Sequence, residues 1–231
     1  VLVDALVATE DSRFFQHNGF DAPRFLKASI GQVIQKVFHR GSNAGGASTL
    51  TMQVVKNSLT NAYATEGITG IVRKFEDIYL AIFKLEKNCS KEQIIEYYVN
   101  NHYLSGNVYG VQEAAETYFG KTVSELNLSE EATLAGMFKS PNYYNPEEHP
   151  DRAQERRKTV LYLMRRHGYI TAEEEKIANS IPVSSLIATS SESTYNSEYS
   201  GYIDTVVDEI KEKYGVNPYT TPLVVYTNLD T

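Results

Sequence analysis

Helix signals follow one another along most of this chain, whereas strand signals are scarce until its last residues. Residues 22–40 place apolar side chains at the three- and four-residue spacing of one helix face: Leu26, Ile30, Val33, Ile34 and Val37. Two further helices are expected from about residue 48 to 59 and from about residue 70 to 87. A chain with this pattern is predicted to fold as a mainly α protein.

Capping residues mark three later helix starts. Ser90 and Gln93 have the Ser-x-x-Gln spacing of a capping box. The same spacing recurs at Thr171 and Glu174, after the predicted long helix ERRKTVLYLMRRHG. Ser129 precedes the segment EEATLAGMF in the position of an N-cap. The sequence therefore predicts a succession of separately capped helices.

The segment from Thr189 to Ser200 is rich in Ser and Thr and is interpreted as a linker. A helix over about residues 201–214 and a strand, LVVYTNL at residues 223–229, should follow it. We therefore expect one domain over residues 1–188 and a connection over residues 189–231. Because the chain opens inside an apparent helix and closes on a strand with no evident partner, we expect neighbouring segments on both sides of it.

Composition limits the function classes. The 231-residue chain has a formal net charge of −7, which argues against a nucleic-acid-binding protein. The charge is uneven, because residues 22–65 contain five Lys or Arg and no Asp or Glu. This basic tract is expected to face a phosphate-bearing ligand or an anionic membrane surface. The single cysteine, Cys89, is interpreted as a half-buried small residue, and no residue spacing indicates a structural zinc site.

The segment ATEDSRFFQHNGFD, residues 8–21, has the character of a catalytic motif. Glu10 and Asp11 end a predicted helix, and Phe14 and His17 follow within a short turn. A carboxylate delivered from the end of a rigid element is how a protein presents a general base. Taken alone, the Glu-Asp pair is equally typical of a solvated helix end.

Two further motifs carry polar groups at helical spacing. In the first, GGASTLTMQVVKN, Ser48 and Thr49 can donate hydrogen bonds at a helix N-terminus, where anions are favoured. Gln53 and Lys56 then share one face of that helix, and Asn57 ends the motif.

The other motif places Arg73, Lys74, Glu76 and Asp77 within little more than one helical turn. An Arg73–Asp77 surface pair would explain part of this pattern without any ligand. The segment from Lys91 to Lys121, rich in glycine and aromatic residues, is interpreted as mainly architectural.

The order of these motifs resembles one family. EDxxFxxHxGxD, G-[GA]-ST-[IL]-T-x-QxxKN, RKxx-[ED]-xxxA, a helix ending in YFGK, and LxxEEAxLAG…P…YNP…RR..VL..M follow one another in that family's order. The family is the peptidoglycan glycosyltransferase domain of bifunctional class A penicillin-binding proteins, shared with monofunctional transglycosylases. The resemblance runs from Val1 to Ala178, and the tail resembles the linker to those proteins' transpeptidase domain, which is absent.

This resemblance implies a lysozyme-like fold and an inverting glycosyltransferase reaction. Such enzymes polymerise lipid II, a disaccharide-pentapeptide on undecaprenyl pyrophosphate, into β-1,4-linked glycan strands. Glu10 matches the catalytic base, which takes the proton from the acceptor sugar's 4-hydroxyl. The family's second catalytic glutamate falls on Asp77, with Glu76 beside it. Because IFKLE is one residue longer than the family's usual spacing, a rotation of this helix could favour Glu76 instead.

The resemblance also implies a substrate-binding set beyond these carboxylates: Asp11, Phe14, His17, Ser48, Thr49, Gln53, Lys56, Asn57, Arg73 and Lys74. Within it, Lys56, Arg73 and Lys74 supply the cations that a pyrophosphate leaving group requires. A divalent cation, Mg or Mn, could share that role, and no organic cofactor is expected. His17 is expected to hold the turn in place instead of carrying protons.

In the resembled family a mobile apolar flap between the first two motifs enters the membrane near the lipid of the substrate. Here its contact residues would be Phe25, Leu26, Ile30, Ile34 and Phe38. The same face could instead pack on the core.

Three positions of the other motifs depart from the family's usual residues: Met52, Ser105 and Asn107. Glycine is common in the family at the last two of these positions.

The expected protein is thus an extracytoplasmic enzyme at the bacterial cell membrane, anchored by an N-terminal transmembrane helix that this chain lacks. Its partners would be lipid II, the growing glycan chain and the membrane surface, with inhibitors such as moenomycin and no nucleic acid. Two alternatives are a lysozyme-like glycan hydrolase and a non-catalytic lipid II- or glycan-binding module. A hydrolase would have no use for the cluster of Lys56, Arg73 and Lys74.

Overall fold

A computed structural model describes residues 1–28, 48–59, 67–188, 200–216 and 225. Its helices are α1 (Leu2–Glu10), α2 (residues 22–28 as far as described), α3 (Leu50–Ser58), α4 (Gly67–Leu80), α5 (Lys91–Asn100), α6 (Val111–Phe119), α7 (Leu128–Met137), α8 (Pro150–Arg166), α9 (Ala172–Ser180) and α10 (Ser200–Tyr214). Short 3-10 helices occupy Phe14–Gln16, Val123–Glu125 and Val183–Ser185. The described residues contain no sheet, only an isolated bridge between Tyr103 and Tyr109. The mainly α prediction is confirmed.

The chain divides into two compact units, Val1–Ala188 and Thr189–Thr231. In the second unit α10 agrees with the predicted helix at 201–214. The predicted linker and the strand at 223–229 lie outside the described residues, except Ser200 and Val225. Across the described helices, none has both the length and the apolar character needed to cross a membrane.

The core of the first unit encloses α1. Helices α7 and α8 pack against each other and both contact α1. Ala5, Leu6, Val7 and Ala8 are all buried, so α1 meets protein on most of its surface. Burial of these apolar side chains, each contributing roughly 1–3 kcal/mol, fixes the helix that ends at Glu10. The first motif therefore begins at the end of a rigid element.

Two of the three predicted helix starts are confirmed. Both capping boxes form, at Ser90 with Gln93 and at Thr171 with Glu174. The prediction of Ser129 as an N-cap is wrong. The side chain of Asn127 accepts hydrogen bonds from the amides of residues 129 and 130, so α7 begins earlier. Ser129 is buried inside the helix and its hydroxyl donates to the carbonyl of Ala178 at 3.1 Å.

The helix that begins as α4 changes its geometry after Leu80. Ala81–Leu85 forms a π-helical turn and Glu86–Asn88 returns to α-helix. A π-turn accommodates one extra residue within an otherwise α-helical segment. It overlaps IFKLE, the segment that is one residue longer than the usual spacing of the resembled family. The extra residue is therefore absorbed after Asp77, without a change of face before it.

Gly19, in the first motif, packs directly on this π-turn. Its φ is +81°, and a Cβ atom there would lie 2.9 Å from the carbonyl carbon of Ala81. Gly168 has nearly the same φ, +80°, but faces open space. Both positions favour glycine through their backbone, and only the first adds a steric requirement.

We expect Gly19→Ala to destabilise the protein by about 2–4 kcal/mol, because a strained backbone and an overpacked contact add together. Gly168→Ala carries only the backbone cost, about 1–2 kcal/mol. Urea unfolding of both variants measures the difference. Equal losses would mean that the contact between Gly19 and Ala81 does not constrain the fold.

His102 is half-buried and packs against two aromatic rings. It stacks on Phe138 with centroids 4.3 Å apart and lies 5.3 Å from the ring of Tyr98. Burial lowers the pKa of His102 to about 4. The native protein therefore holds this imidazole neutral, while the unfolded chain protonates it near pH 6.5.

Between pH 6.5 and 4 the unfolded state binds more protons at His102, so stability should fall as the pH is lowered through this window. The full contribution is present above pH 6.5, and its loss amounts to about 3 kcal/mol at most. His102→Phe should remove this part of the pH dependence, whereas substitution of the exposed His167 should not. Unfolding free energies measured from pH 4 to 7 test this, and an unchanged slope in His102→Phe would refute it.

Candidate active site

Glu10 is held by an arginine 146 positions later in the sequence. Its Oε1 accepts a hydrogen bond from Nη2 of Arg156 at 3.3 Å. The side chain of Glu10 is 19% exposed and that of Arg156 is 8% exposed. Nε of Arg156 also donates to the carbonyl of Gly136 at 3.3 Å. A Cβ atom at Gly136 would lie 2.9 Å from Cγ of Arg156, so α7 leaves room for the arginine stem.

Sequence reasoning missed Arg156, which appeared only within the RR pair of the last motif. A local signal for it exists, because Arg156 is in register with Ala153, Val160 and Met164 on the buried face of α8. A cation on a buried helix face requires an anionic or hydrogen-bonding partner. Burial lowers the pKa of Arg156, and the neighbouring Glu10 opposes that change. The pattern thus predicts an ion pair but not its partner.

Asp11 joins the first motif to the start of α3. Its buried Oδ2 accepts a hydrogen bond from the amide of Leu50 at 3.0 Å, and Nε2 of His17 lies 3.1 Å from the same oxygen. Nη1 of Arg24 donates to Oδ1 at 3.3 Å. His17 therefore contacts Asp11, the neighbour of Glu10, and its role in holding the turn stays a prediction.

Phe14 and Thr49 are also fully buried. The hydroxyl of Thr49 donates to the carbonyl of Gly19 at 2.7 Å and accepts from the amide of Met52 at 3.1 Å. Within the predicted binding set, Asp11, Phe14 and Thr49 thus lie in the interior and support the loop.

Asp11, His17 and Asp21 place ligand atoms within 4.8 Å of one another, a spacing that could hold a metal ion. The carboxylate oxygens of Asp11 and Asp21, however, already accept hydrogen bonds from protein groups. Asp21 accepts two hydrogen bonds from Arg13, and Asp11 accepts from Arg24 and from a backbone amide. Two arginines beside these carboxylates do not suit a divalent cation.

Gln53, on α3, accepts a hydrogen bond from the buried side chain of Tyr98. The phenol of Tyr98 donates to Oε1 of Gln53 at 3.2 Å. Burial raises the pKa of Tyr98 well above its usual value, and the charge of Glu10 raises it further. The phenol therefore stays protonated and remains a hydrogen-bond donor to Gln53.

Two other cations, Arg73 and Lys56, act on the charge of Lys74. Its Nζ donates to the hydroxyl of Ser48 at 2.6 Å. Burial lowers the pKa of Lys74; Asp77 opposes this effect, whereas Arg73 and Lys56 reinforce it. We call Lys56, Arg73 and Lys74 the cation cluster. The structure thus brings together cations from two motifs.

The two candidate second carboxylates differ in burial. The side chain of Asp77 is buried, with its Oδ2 4.0 Å from Nε of Arg73. Glu76 is exposed. Asp77 therefore faces the cation cluster. The other predicted residues Lys56 and Asn57 are exposed on α3.

Only part of the predicted flap can be placed. Phe25 is partly buried, with its ring 5.3 Å from that of Phe20. Leu26 is 61% exposed. Ile30, Ile34 and Phe38 lie outside the described residues, as does the glycine-rich segment 41–46.

Comparisons with known proteins show which family this sequence is similar to. The sequence matches the transglycosylase family, Transgly, over residues 1–165. It is 40% identical to penicillin-binding protein 1A of Streptococcus oralis, over 99% of this chain and 35% of that protein. It is also 40% identical to penicillin-binding protein 1A/1B of Bacillus subtilis (strain 168), over 100% of this chain and 24% of that protein.

A crystal structure of penicillin-binding protein 1A from Haemophilus influenzae aligns with 56% of this chain and 18% of that chain, at 36% identity and a TM-score of 0.45. The chain spans 35% of the length of the Streptococcus relative and 24% of the Bacillus relative. The family match covers most of this chain. The chain therefore belongs to the transglycosylase family, the peptidoglycan glycosyltransferase domains of class A penicillin-binding proteins.

Proposed function

We propose that this domain polymerises lipid II into β-1,4-linked glycan strands and releases undecaprenyl pyrophosphate. The observation that carries the proposal is the pairing of Glu10, held by Arg156, with a separate cation cluster. Gln53, on the same helix as Lys56, accepts a hydrogen bond from Tyr98. A displacement of pyrophosphate needs a base at one end and cations at the other.

In the proposed reaction Glu10 acts on the acceptor. Arg156 donates a hydrogen bond to Oε1 of Glu10, and among the described residues no donor contacts Oε2. Oε2 would accept the proton of the acceptor sugar's 4-hydroxyl, whose oxygen then bonds to the anomeric carbon of the growing chain. The bond from that carbon to the pyrophosphate breaks with inversion, and the bonding electrons leave with the pyrophosphate.

The leaving group would meet the cation cluster. Pyrophosphate gains negative charge as the bond breaks, and Lys56, Arg73 and Lys74 would stabilise that charge. Lys74 is oriented by Ser48, and Asp77 balances the charge of its neighbours. Phosphoglycolipid inhibitors such as moenomycin should compete for these cations.

We also propose that the domain works at the extracytoplasmic face of the bacterial membrane. An apolar stripe supports this assignment: Val72, Phe75, Tyr79 and Phe83 recur at helical spacing along α4 and its π-turn, and all are exposed. Lys87 lies over the ring of Phe83 at the end of the stripe. Exposed aromatics followed by a cation suit a lipid surface with anionic head groups.

Incubation with lipid II followed by product sizing tests the reaction. Long glycan strands, lost in Lys74→Gln but not in a control Lys158→Gln on the exposed side of α8, are the expected result. Short sugars released from finished peptidoglycan would indicate a glycan hydrolase instead. Binding of lipid II without any turnover would indicate a non-catalytic module.

A further inference from the structure

A surface of tyrosines begins beside Arg156. We call it the tyrosine platform: Tyr103, Tyr109, Tyr143 and Tyr144. The ring of Tyr144 lies 5.9 Å from the guanidinium carbon of Arg156, which binds Glu10. Tyr143 packs edge-on against Tyr144, with centroids 4.9 Å apart. Arg156 thus contacts both Tyr144 of the platform and Glu10, the proposed base.

The platform continues onto the loop between α5 and α6. The hydroxyl of Tyr103 donates to the side-chain oxygen of Asn142 at 2.9 Å, which joins the two loops. The rings of Tyr103 and Tyr109 lie 5.4 Å apart. On the other loop, the ring centre of Tyr143 lies 4.5 Å from the guanidinium carbon of Arg152, which belongs to α8. All four rings of the platform therefore contact a neighbouring side chain.

A strained turn presents Tyr103 and Tyr109. Ser105 is buried and has a φ of +83°, a conformation that favours glycine. The side-chain amide of Asn145 donates to its hydroxyl at 3.1 Å, and the amide of Leu104 donates to the carbonyl of Val108 at 2.8 Å. Strain of this kind persists where the surroundings enforce it, and it clusters at ligand-binding sites. The two tyrosines thus have a fixed orientation.

The chemistry of the platform is amphipathic. Tyr109 is 53% exposed and Tyr143 is 51% exposed, and hydroxyl, amide and guanidinium groups lie beside them. A pyranose ring matches this surface, because its C–H face packs on an aromatic ring while its hydroxyls hydrogen-bond at the edge. An acyl chain does not fit this surface as well, because it cannot form hydrogen bonds with the polar groups. The exposed carboxylates Glu147 and Glu148, which follow Tyr144, disfavour a polyanion.

We propose that the tyrosine platform is a binding site for the saccharide part of the glycan, composed of N-acetylated β-1,4-linked sugars without lipid or pyrophosphate. This inference rests on the proposed function for the identity of the sugar. One contact path leads from Glu10 through Arg156 to the platform, while Tyr98 donates a hydrogen bond to Gln53 on α3. The platform would hold sugars while the cation cluster holds pyrophosphate.

Titration with a lipid-free glycan tetrasaccharide, followed by NMR or calorimetry, tests the site without any catalysis. Tyr109→Ala and Tyr143→Ala should each weaken binding about tenfold. Tyr109→Phe should keep most of the affinity, because the ring is retained. The matched control is Tyr162→Ala, since Tyr162 is also exposed and also lies against an arginine, Arg165, at 5.5 Å.

Equal affinity of wild type and both alanine variants, or no tetrasaccharide binding by wild type, would overturn the platform proposal. An equal loss in Tyr162→Ala would do the same. Polymerisation of lipid II by a wild-type domain that does not bind the tetrasaccharide would leave the proposed function standing. If the domain binds the tetrasaccharide through the platform but does not polymerise lipid II, the platform proposal is supported and the proposed polymerase function is refuted.

Discussion

Glu10→Gln should reduce the rate of lipid II polymerisation by about 10²–10⁴-fold, the usual contribution of a general base. Glutamine keeps the shape of the side chain and an acceptor for Arg156, but it cannot take a proton from the acceptor hydroxyl. The affinity for lipid II should change little, because the cation cluster is untouched. Glycan synthesis measured with saturating lipid II separates the two effects.

The control for this variant is Asp4→Asn, which removes a carboxylate from the same helix α1 without touching Arg156. Its activity should stay near wild type. Circular dichroism must show that Glu10→Gln is folded, since Arg156 loses a charged partner in a poorly exposed site. Appreciable polymerisation by a folded Glu10→Gln protein would remove Glu10 from the role of base.

Asp77→Asn should lower the rate at least about tenfold, whereas Glu76→Gln should remain within about twofold of wild type. Asp77 is buried next to Arg73 and Lys74, so its loss leaves mutually repelling cations where the pyrophosphate must leave. Glu76 is exposed. Steady-state kinetics of both variants with lipid II measure the comparison.

The opposite ranking, with Glu76→Gln inactive and Asp77→Asn active, would mean that the helix turns when substrate binds. An Asp77→Glu variant refines the result. A longer carboxylate that raises the rate would indicate that aspartate is a compromise at this position.

The helices of this chain were predictable because their signals are local. The boxes at Ser90 and Thr171 form as the spacing predicts, since capping depends on residues three apart. Ser129 shows the limit of this reasoning. Asn127 stands two residues earlier and can satisfy two amides at once, so the stronger cap determined where α7 begins.

The candidate site was only partly predictable, because its decisive contacts join distant residues. Arg156 reaches Glu10 across 146 positions, and no local pattern names that partner. The choice between Asp77 and Glu76 depended on the π-turn at Ala81–Leu85, which no propensity predicts. Ser105 is the reverse case. The resemblance indicates that glycine is common at this position, and Ser105 adopts a positive φ, the conformation that glycine favours.

A crystal structure of the Glu10→Gln domain with lipid II tests the central claim most directly, because this variant should bind substrate without consuming it. The account predicts that the pyrophosphate lies within hydrogen-bond distance of at least two of Lys56, Arg73 and Lys74. It also predicts that a sugar hydroxyl or the anomeric carbon faces residue 10. A pyrophosphate bound at Arg156, with the cation cluster in solvent, would contradict it.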